Sequence, residues 1–301
     1  METSQPSSPT WKFEFQPGYF IPFSDLKATS PIGRVTTQPL FGLLPRSYPE
    51  DHHADEDKRD WVRFARQVGA LNTQSPSNVH YKVLYLTRHG FGFHNKKEKE
   101  VGTPAWDSHW SLLDGADGEV WFDSYLTPEG IQQAKDLSAL WLQTINEDGA
   151  PLPSTLYTSP LTRCLQTCHY SLSPLMASHN LPFRPTVREK LRERMTMHTC
   201  DKRRTRSWIQ EQWPEYLIGD DVTEEDILGG QGREETYPEH IAREQKELEE
   251  LWEMDQGEFL SLTMHSQAIS SLMMACGAEP PKLREGTTIA VLIRGEKLGG
   301  V

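Results

Sequence analysis

The sequence contains no long apolar run. No stretch of its 301 residues approaches the roughly 20 consecutive apolar residues that a membrane-spanning helix needs. The opening residues, METSQPSSPT, also lack the basic and apolar segments of a secretory signal. We therefore expect a soluble protein without a membrane partner.

Cysteine and positive charge are both scarce. The four cysteines, Cys164, Cys168, Cys200 and Cys276, are too few for a disulfide framework in a chain of this length, which favours a cytoplasmic protein, with the nucleus as the alternative. With 43 acidic and 31 basic residues the net charge is -12, which argues against nucleic acid as a partner. A small anionic ligand remains compatible with this charge, because a basic pocket can be local. The sequence leaves the oligomeric state open.

The first part of the chain differs from the rest in composition. Residues 1–78 begin rich in Ser, Pro and aromatics, and they include a polar, acidic stretch in which His52 and His53 are interpreted as solvated rather than as a metal site. An amphipathic helix is predicted over 60–72, with Asp60 as its N-cap. We interpret 1–78 as an N-terminal extension packed on the core.

The remainder, 79–301, alternates between strand and helix patterns and is interpreted as a single domain with an aromatic insertion at 96–125. Such alternation is typical of an α/β fold: a three-layer sandwich with a mostly parallel central sheet flanked by helices. The predicted strands are 81–87, 154–159, 181–187, 258–265 and 287–294, and the predicted helices are 127–145, 160–176, 203–213, 237–256 and 266–277.

Charged and imidazole side chains stand where three predicted strands end. Arg88 and His89 close the first strand, Arg163 begins the helix after the second, and His265 follows a later one. Ligands of such sheets bind beyond the carboxyl ends of the strands. Arginine binds phosphoryl oxygens through paired hydrogen bonds, and the start of a helix also favours anions. A neutral histidine is a competent nucleophile if its other ring nitrogen donates, for example, to a backbone carbonyl, and Gly90 allows that close approach.

A leaving alkoxide needs a proton, so a carboxylic acid should stand near this group. Glu193 is our candidate; it lies among Arg192, Arg194 and His198 in the segment 188–206. The later basic residues of that segment form either a solvated face or an extension of the anion site.

The same residues resemble a known family. Arg88-His89-Gly90 after a hydrophobic strand, with Asn95 beyond it, is similar to the signature of the histidine phosphatase superfamily, the phosphoglycerate-mutase-like proteins. Four more elements follow in the family's order: LTPEG (126–130), YTSPLTRCLQT (157–167), LRER (191–194) and LTMHSQ (262–267). The stretches RHGFGFHN and HTCDKRR look most like the fungal phosphomutase-like branch.

The resemblance implies a role for each matching residue. His89 would become phosphohistidine, Glu193 would be the general acid and then the base, and His265 would assist catalysis at the phosphate. The resemblance implies no metal and no cofactor, because arginines and histidines supply the electrostatic stabilisation. The substrate-binding residues are expected to be Arg88, Asn95, Arg163, His198 and Arg192.

Two departures from the family pattern bear on function. Ser266 stands where a glycine usually follows the second histidine, and Phe91 replaces the acidic residue common in the mutases. Phe91 favours a phosphatase that acts on a small phosphate or diphosphate ester. A phosphomutase, a phospho-ligand-binding module and a member recruited to non-hydrolytic chemistry remain alternatives. Trp106, Trp110 and Trp121 are expected to roof the site, which suggests a substrate with a hydrophobic body.

Overall fold

A seven-stranded sheet forms the centre of the molecule. The computed structural model describes residues 10–49, 51 and 57–299, so the pair His52–His53 lies outside the described residues. The strands are β1 (Trp11–Phe15), β2 (Val79–Arg88), β3 (Gly115–Ala116), β4 (Glu119–Val120), β5 (Thr155–Thr158), β6 (Thr186–Val187), β7 (Leu217–Ile218), β8 (Phe259–Met264) and β9 (Thr288–Lys297).

The helices alternate with these strands along most of the chain. They are α1 (Phe23–Thr29), α2 (Asp60–Gln74), α3 (Phe93–Val101), α4 (Thr103–Ser108), α5 (Pro128–Asp148), α6 (Thr162–Ser178), α7 (Arg206–Gln212), α8 (Tyr237–Met254) and α9 (Ser266–Ala275). None of the helices in the described part of the chain has the length and apolar character needed to cross a membrane.

The strand order in the large sheet is β1-β9-β2-β8-β5-β6-β7, and β3 pairs with β4 in a separate hairpin. The strands from β2 to β7 in this order run parallel, whereas β9 runs antiparallel to both of its neighbours. The predicted mostly parallel sheet is confirmed.

Helices cover both faces of this sheet. Along β2 the side chains alternate, so that Val83 and Tyr85 pack in one apolar core while Leu84 and Leu86 pack in the other. The first core includes residues of α2, α5 and α6, and the second includes residues of α8 and α9. Three layers result, as predicted.

The predicted elements differ from the observed ones mainly at their ends. Asp60 is the first residue of α2 and Arg59 precedes it as the cap, so the predicted N-cap was wrong by one position. Thr127 caps α5 as predicted, and its side-chain oxygen accepts from the Gly130 amide. The strand β1 was not predicted; it pairs antiparallel with β9 at the edge of the sheet.

The segment 93–125, between β2 and α5, folds over the ends of the strands. It contains α3, α4 and the β3–β4 hairpin, and Trp106 and Trp121 form a small core with Cys200 of a later loop. A bridge between Gly92 and Leu126 brings the two ends of the segment together. The segment therefore forms a wall over the sheet whose two ends lie side by side.

Candidate active site

A cavity of about 640 Å³ lies where β2, β5 and β8 end. One side of it is formed by α3 and α4, and the other by the loop that follows Arg192. Six of the eight residues expected at the site line this cavity: Arg88, His89, Asn95, Arg163, Glu193 and His198.

His89 is held by its own backbone neighbour. Its Nδ1 lies 2.8 Å from the carbonyl oxygen of Gly90, and the side chain is buried at 2% exposure. Since a carbonyl only accepts, Nδ1 carries the proton and Nε2 keeps its lone pair. Burial, reinforced by the positive charges of Arg163 and Arg88, holds the pKa of His89 well below its ordinary value. The imidazole is therefore neutral near pH 7.

The turn after His89 is braced by the start of α5. The Phe91 carbonyl accepts hydrogen bonds from the amide and the hydroxyl of Thr127, both at 2.9 Å, and the Phe91 amide donates to Gln133 at 2.8 Å. The two backbones touch: a Cβ at Gly90 would stand 2.5 Å from the Gly130 carbonyl oxygen, and a Cβ at Gly130 would stand 2.2 Å from that of Phe91. The LTPEG element thus positions the residue beside His89.

Arg88 is fixed by the chain that precedes β9. Its Nη1 donates to the Leu283 carbonyl at 2.7 Å, and its Nη2 lies 2.8 Å from a carboxylate oxygen of Glu285. Its Nε is buried without a hydrogen-bond partner in the part of the chain that the structure describes. A buried donor without a partner is costly, and at the edge of a cavity it is suited to an incoming anion.

Arg163 reaches the same cavity from the first turn of α6. Its Nη1 donates to the Cys200 carbonyl at 2.5 Å, and its Nη2 lies 3.5 Å from Asp201. Its buried Nε, like that of Arg88, has no hydrogen-bond partner among the residues described. The beginning of α6 is anchored by the buried Asp123, which accepts from the Thr162 amide at 2.8 Å. The wall segment and the second arginine are thereby connected.

His265 lies behind His89 rather than in the cavity wall. The two ring centroids are 5.1 Å apart. Its Nε2 lies 2.8 Å from the Ser159 hydroxyl oxygen and 3.3 Å from the Cys164 sulfur. Burial holds the pKa of His265 well below its ordinary value, so this imidazole too is neutral.

Glu193 faces the cavity, and its surroundings favour the protonated, uncharged form of its carboxyl group. Its carboxylate oxygens accept from the backbone amides of Arg194 at 2.9 Å and Gln267 at 3.2 Å. Burial, and next the charge of Asp201, raises the pKa of Glu193 above its ordinary value. A carboxyl group in this setting can hold a proton where an exposed one would lose it, which a general acid requires.

Arg192 was predicted to bind substrate, and this prediction was wrong. The side chain is fully buried and its Nη1 lies 2.7 Å from Glu189 and 2.6 Å from Asp226. Its Nη2 donates to the Asp201 carbonyl. The Arg192 guanidinium is paired with the carboxylates of Glu189 and Asp226. It therefore holds the loop together and does not line the cavity.

The basic residues after position 201 do not extend the anion site. Arg203 binds Glu189 and several carbonyls, Arg204 lies 4.5 Å from the Trp208 ring centroid, and Arg206 donates to carbonyls. Of the three tryptophans expected to roof the site, Trp106 lines the cavity, whereas Trp110 and Trp121 are not among its lining residues; all three pack in the wall segment's core.

His94 was missed as a site residue. It lines the cavity at 8% exposure, and its ring centroid is 5.5 Å from that of His89. Its buried Nδ1 has no hydrogen-bond partner among the described residues. Its backbone amide donates to Ser124, and Gly92 leaves room for the ring. The signal was present, since His94 immediately precedes Asn95 in the loop after His89.

Asn95 lies one residue further along α3. Its Oδ1 accepts from the Gly92 amide at 3.1 Å, which caps the helix. The side chain thus has a positioning contact as well as a place in the cavity wall.

Three potential metal ligands also meet in this wall. One side-chain donor atom from each of His198, Cys200 and Asp201 lies within 4.8 Å of the others. Asp201 is already engaged by Arg163 and by the Thr196 hydroxyl, which donates at 2.5 Å. The neighbouring guanidinium disfavours a cation here, since like charges repel.

Comparison with known proteins identifies relatives of this chain. The sequence model of the histidine phosphatase superfamily (branch 1) matches residues 110–290, a span that contains Arg163, Glu193 and His265 but begins after His89. A probable phosphoglycerate mutase of Arthroderma benhamiae is 40% identical over 96% of this chain and 86% of its own. The probable phosphoglycerate mutase PMU1 of Saccharomyces cerevisiae is 33% identical over 81% and 87%.

A solved phosphoglycerate mutase from Bacillus anthracis aligns with a TM-score of 0.44 at 16% identity, over 71% of this chain and 89% of its own. Both sequence relatives described above are fungal proteins. From the match of the family model and the 40% identical relative, the chain belongs to the histidine phosphatase superfamily, branch 1.

Proposed function

We propose that this protein hydrolyses small-molecule phosphate or diphosphate esters through a phosphohistidine at His89, without a metal. The observation that carries the proposal is the 2.8 Å contact between His89 Nδ1 and the Gly90 carbonyl oxygen. This contact leaves Nε2 as the nucleophilic nitrogen in a cavity lined by two arginines and a carboxyl group of raised pKa.

In the first step the Nε2 lone pair of His89 attacks phosphorus, and the bond from phosphorus to the ester oxygen breaks. The leaving oxygen takes its proton from Glu193. The Nε atoms of Arg88 and Arg163, which have no hydrogen-bond partner among the described residues, are available to the phosphoryl oxygens. His94 lines the cavity close to the His89 ring and supplies a neutral imidazole beside the transferred group, while His265 packs against the His89 ring from behind.

In the second step the Glu193 carboxylate removes a proton from water, and the water oxygen attacks phosphorus. The phosphorus–nitrogen bond breaks, and its electron pair returns to Nε2. Inorganic phosphate leaves, and Glu193 is again protonated. Nδ1 keeps its proton and donates it to the Gly90 carbonyl oxygen throughout, so the ring keeps its orientation.

A phosphomutase of the same fold is the second candidate. It is favoured by two relatives that carry the name probable phosphoglycerate mutase. A mutase must return the phosphoryl group to a bound intermediate before water reaches it. Phe91, in place of the acidic residue common in the mutases, favours hydrolysis.

The test is release of inorganic phosphate from a panel of phosphate monoesters and diphosphates in the presence of a chelator. We expect turnover by the wild type and none by His89→Ala, with an acid-labile phosphoprotein trapped at short times. The matched control is His80→Ala, an exposed histidine on the same strand. Interconversion of phosphoglycerates without phosphate release would replace hydrolysis by the mutase reaction.

A further inference from the structure

The cavity continues beyond the reacting centre along the wall formed by α3 and α4. Glu98 lies one helical turn after His94 on α3, and Thr103, Trp106 and Asp107 line the cavity from α4. This wall faces whatever the phosphate is attached to. Its chemistry therefore bears on the alcohol part of the substrate.

This wall carries two carboxylates, Glu98 and Asp107. Glu98 accepts from the Thr103 hydroxyl at 2.9 Å, and Asp107 lies 3.6 Å from Nε2 of His198. Among the residues that the structure describes, no lysine or arginine forms a salt bridge with either. The wall therefore carries negative charge toward the cavity.

Trp106 stands between these two carboxylates in sequence and is 3% exposed. It is the aromatic side chain that lines the cavity in the described part of the chain. An aromatic ring beside carboxylates is the combination that proteins use to bind ammonium groups, because the ring face and the carboxylates both attract positive charge.

Each arginine that lines the cavity is already paired with a carboxylate, although the buried Nε of Arg194 has no hydrogen-bond partner among the described residues. Arg88 is paired with Glu285 and Arg163 with Asp201, and both adjoin the phosphoryl site. Arg194 lies 3.4 Å from Glu234, and its guanidinium is 5.1 Å from the Tyr237 ring centroid.

This arrangement penalises a substrate with a carboxylate or a second phosphate next to its ester. Such a group would approach the carboxylates of Glu98 and Asp107, and like charges at close range repel. A positively charged group would instead be attracted to these two carboxylates.

We propose that the preferred substrates are phosphate monoesters whose alcohol part carries a positively charged nitrogen, with that group directed to the wall of Glu98, Trp106 and Asp107. The inference rests on the proposed hydrolytic function and specifies its substrate class. It also predicts that 3-phosphoglycerate is a poor substrate, despite the names of the relatives.

The experiment compares kcat/KM for four esters: phosphoethanolamine, phosphocholine, glycerol 3-phosphate and 3-phosphoglycerate. For the wild type we expect the two cationic esters to exceed glycerol 3-phosphate by about ten-fold, and 3-phosphoglycerate to be the poorest. The readout is the kcat/KM of the cationic esters divided by that of glycerol 3-phosphate, whose alcohol part is uncharged. This ratio should fall to about one in the double variant E98Q/D107N.

The matched control is Glu100→Gln. Glu100 is an exposed carboxylate of the same helix that does not line the cavity and lies near Lys96 and Lys97. This variant should keep the wild-type ratio. A ratio near one in the wild type, or a preference for 3-phosphoglycerate, would overturn the inference while hydrolysis of glycerol 3-phosphate leaves the proposed function standing.

If no ester is hydrolysed by folded protein, the hydrolytic proposal fails and binding decides the inference. Calorimetric titration of His89→Ala with phosphocholine and glycerol 3-phosphate then gives the two affinities. Tighter binding of phosphocholine supports cation recognition, and equal or weaker binding rejects it.

Discussion

The Gly90 carbonyl oxygen accepts from Nδ1 of His89 at 2.8 Å, so the ring and its adjacent peptide form one unit. A rotation of the imidazole would break this bond inside a buried site, where an unpaired donor is costly. The orientation of the proposed nucleophile therefore depends on the backbone of the turn, and that backbone depends on the helix packed against it.

The first prediction concerns this packing. Gly130→Ala should destabilise the protein by about 2 kcal/mol or more, because its Cβ would stand 2.2 Å from the Phe91 carbonyl oxygen and the turn must shift. The shift displaces His89, so kcat should fall more than KM rises. Urea denaturation and phosphate-release kinetics measure both effects.

Gly69→Ala is the control for this change. Gly69 lies in α2, and a Cβ there meets no atom within 4 Å. Replacing it should stabilise the helix by roughly 0.5–1 kcal/mol and leave turnover unchanged. Equal behaviour of the two alanine variants would remove the argument for close packing at Gly130.

The second prediction concerns pH. Turnover needs neutral His89 together with protonated Glu193. With ordinary pKa values the fraction of molecules in this combined state would not exceed about 1% at any pH. Burial lowers the pKa of His89 and raises that of Glu193, so both shifts increase the active fraction. We expect kcat/KM to rise as pH passes upward through the lowered pKa of His89. It should fall as pH passes through the raised pKa of Glu193.

Glu193→Gln tests the assignment of the high-pH decline. The amide does not titrate in this range, so the decline should disappear, and kcat should drop by roughly 10²–10⁴-fold for esters with a poor leaving group. An ester with a good leaving group, such as p-nitrophenyl phosphate, should suffer less in the first step. A decline that persists unchanged in this variant would assign it to another residue.

The third prediction concerns Arg243, a positioning residue on α8. Its guanidinium donates to the carbonyl oxygens of Lys190 at 2.6 Å, Arg192 at 3.0 Å and Glu193 at 3.0 Å, and it is paired with Glu235. Arg243→Met leaves these acceptors and a carboxylate without a partner, which should cost about 3–5 kcal/mol of unfolding free energy.

Catalysis should change as well, because the backbone that carries Glu193 loses its clamp. In Arg243→Lys, measured well below the melting temperature, we expect kcat to fall with little change in KM and the high-pH decline to move. Arg233→Met is the control, since Arg233 is exposed and forms its ion pair with the exposed Glu239. A purely structural role would lower stability and leave the pH profile of the folded protein in place.

Periodicity alone was sufficient for most of the fold. The buried strand before Arg88 and the capped helix from Pro128 both carry strong local patterns, and both lie close to their predicted bounds. The edge strand Trp11–Phe15 was missed although its apolar residues alternate, because five residues after a Ser- and Pro-rich start give a weak signal and their partner, β9, is at the other end of the chain.

The site was predictable where function depends on sequence spacing. It was less predictable where an arginine could either line the cavity or pair with carboxylates inside the protein. Arg163 and Arg192 both follow the expected motifs, yet the first reaches the cavity and the second is consumed by Glu189 and Asp226. Asp226 lies 34 positions away, so no local pattern reveals that partner.

The bridge between Gly92 and Leu126 makes the wall segment, residues 93–125, a structural unit that can vary in sequence. Residues 93–125 begin and end at neighbouring points, and His89, Arg163 and His265 are carried by elements outside them, whereas His94 and Asp123 lie within them. Substitutions elsewhere in the segment, such as at Glu98 or Asp107, can therefore alter the surface offered to the alcohol part and leave the phosphoryl chemistry in place. Divergence of substrate preference among related proteins needs no change in the sheet, and this stretch is where it should be sought.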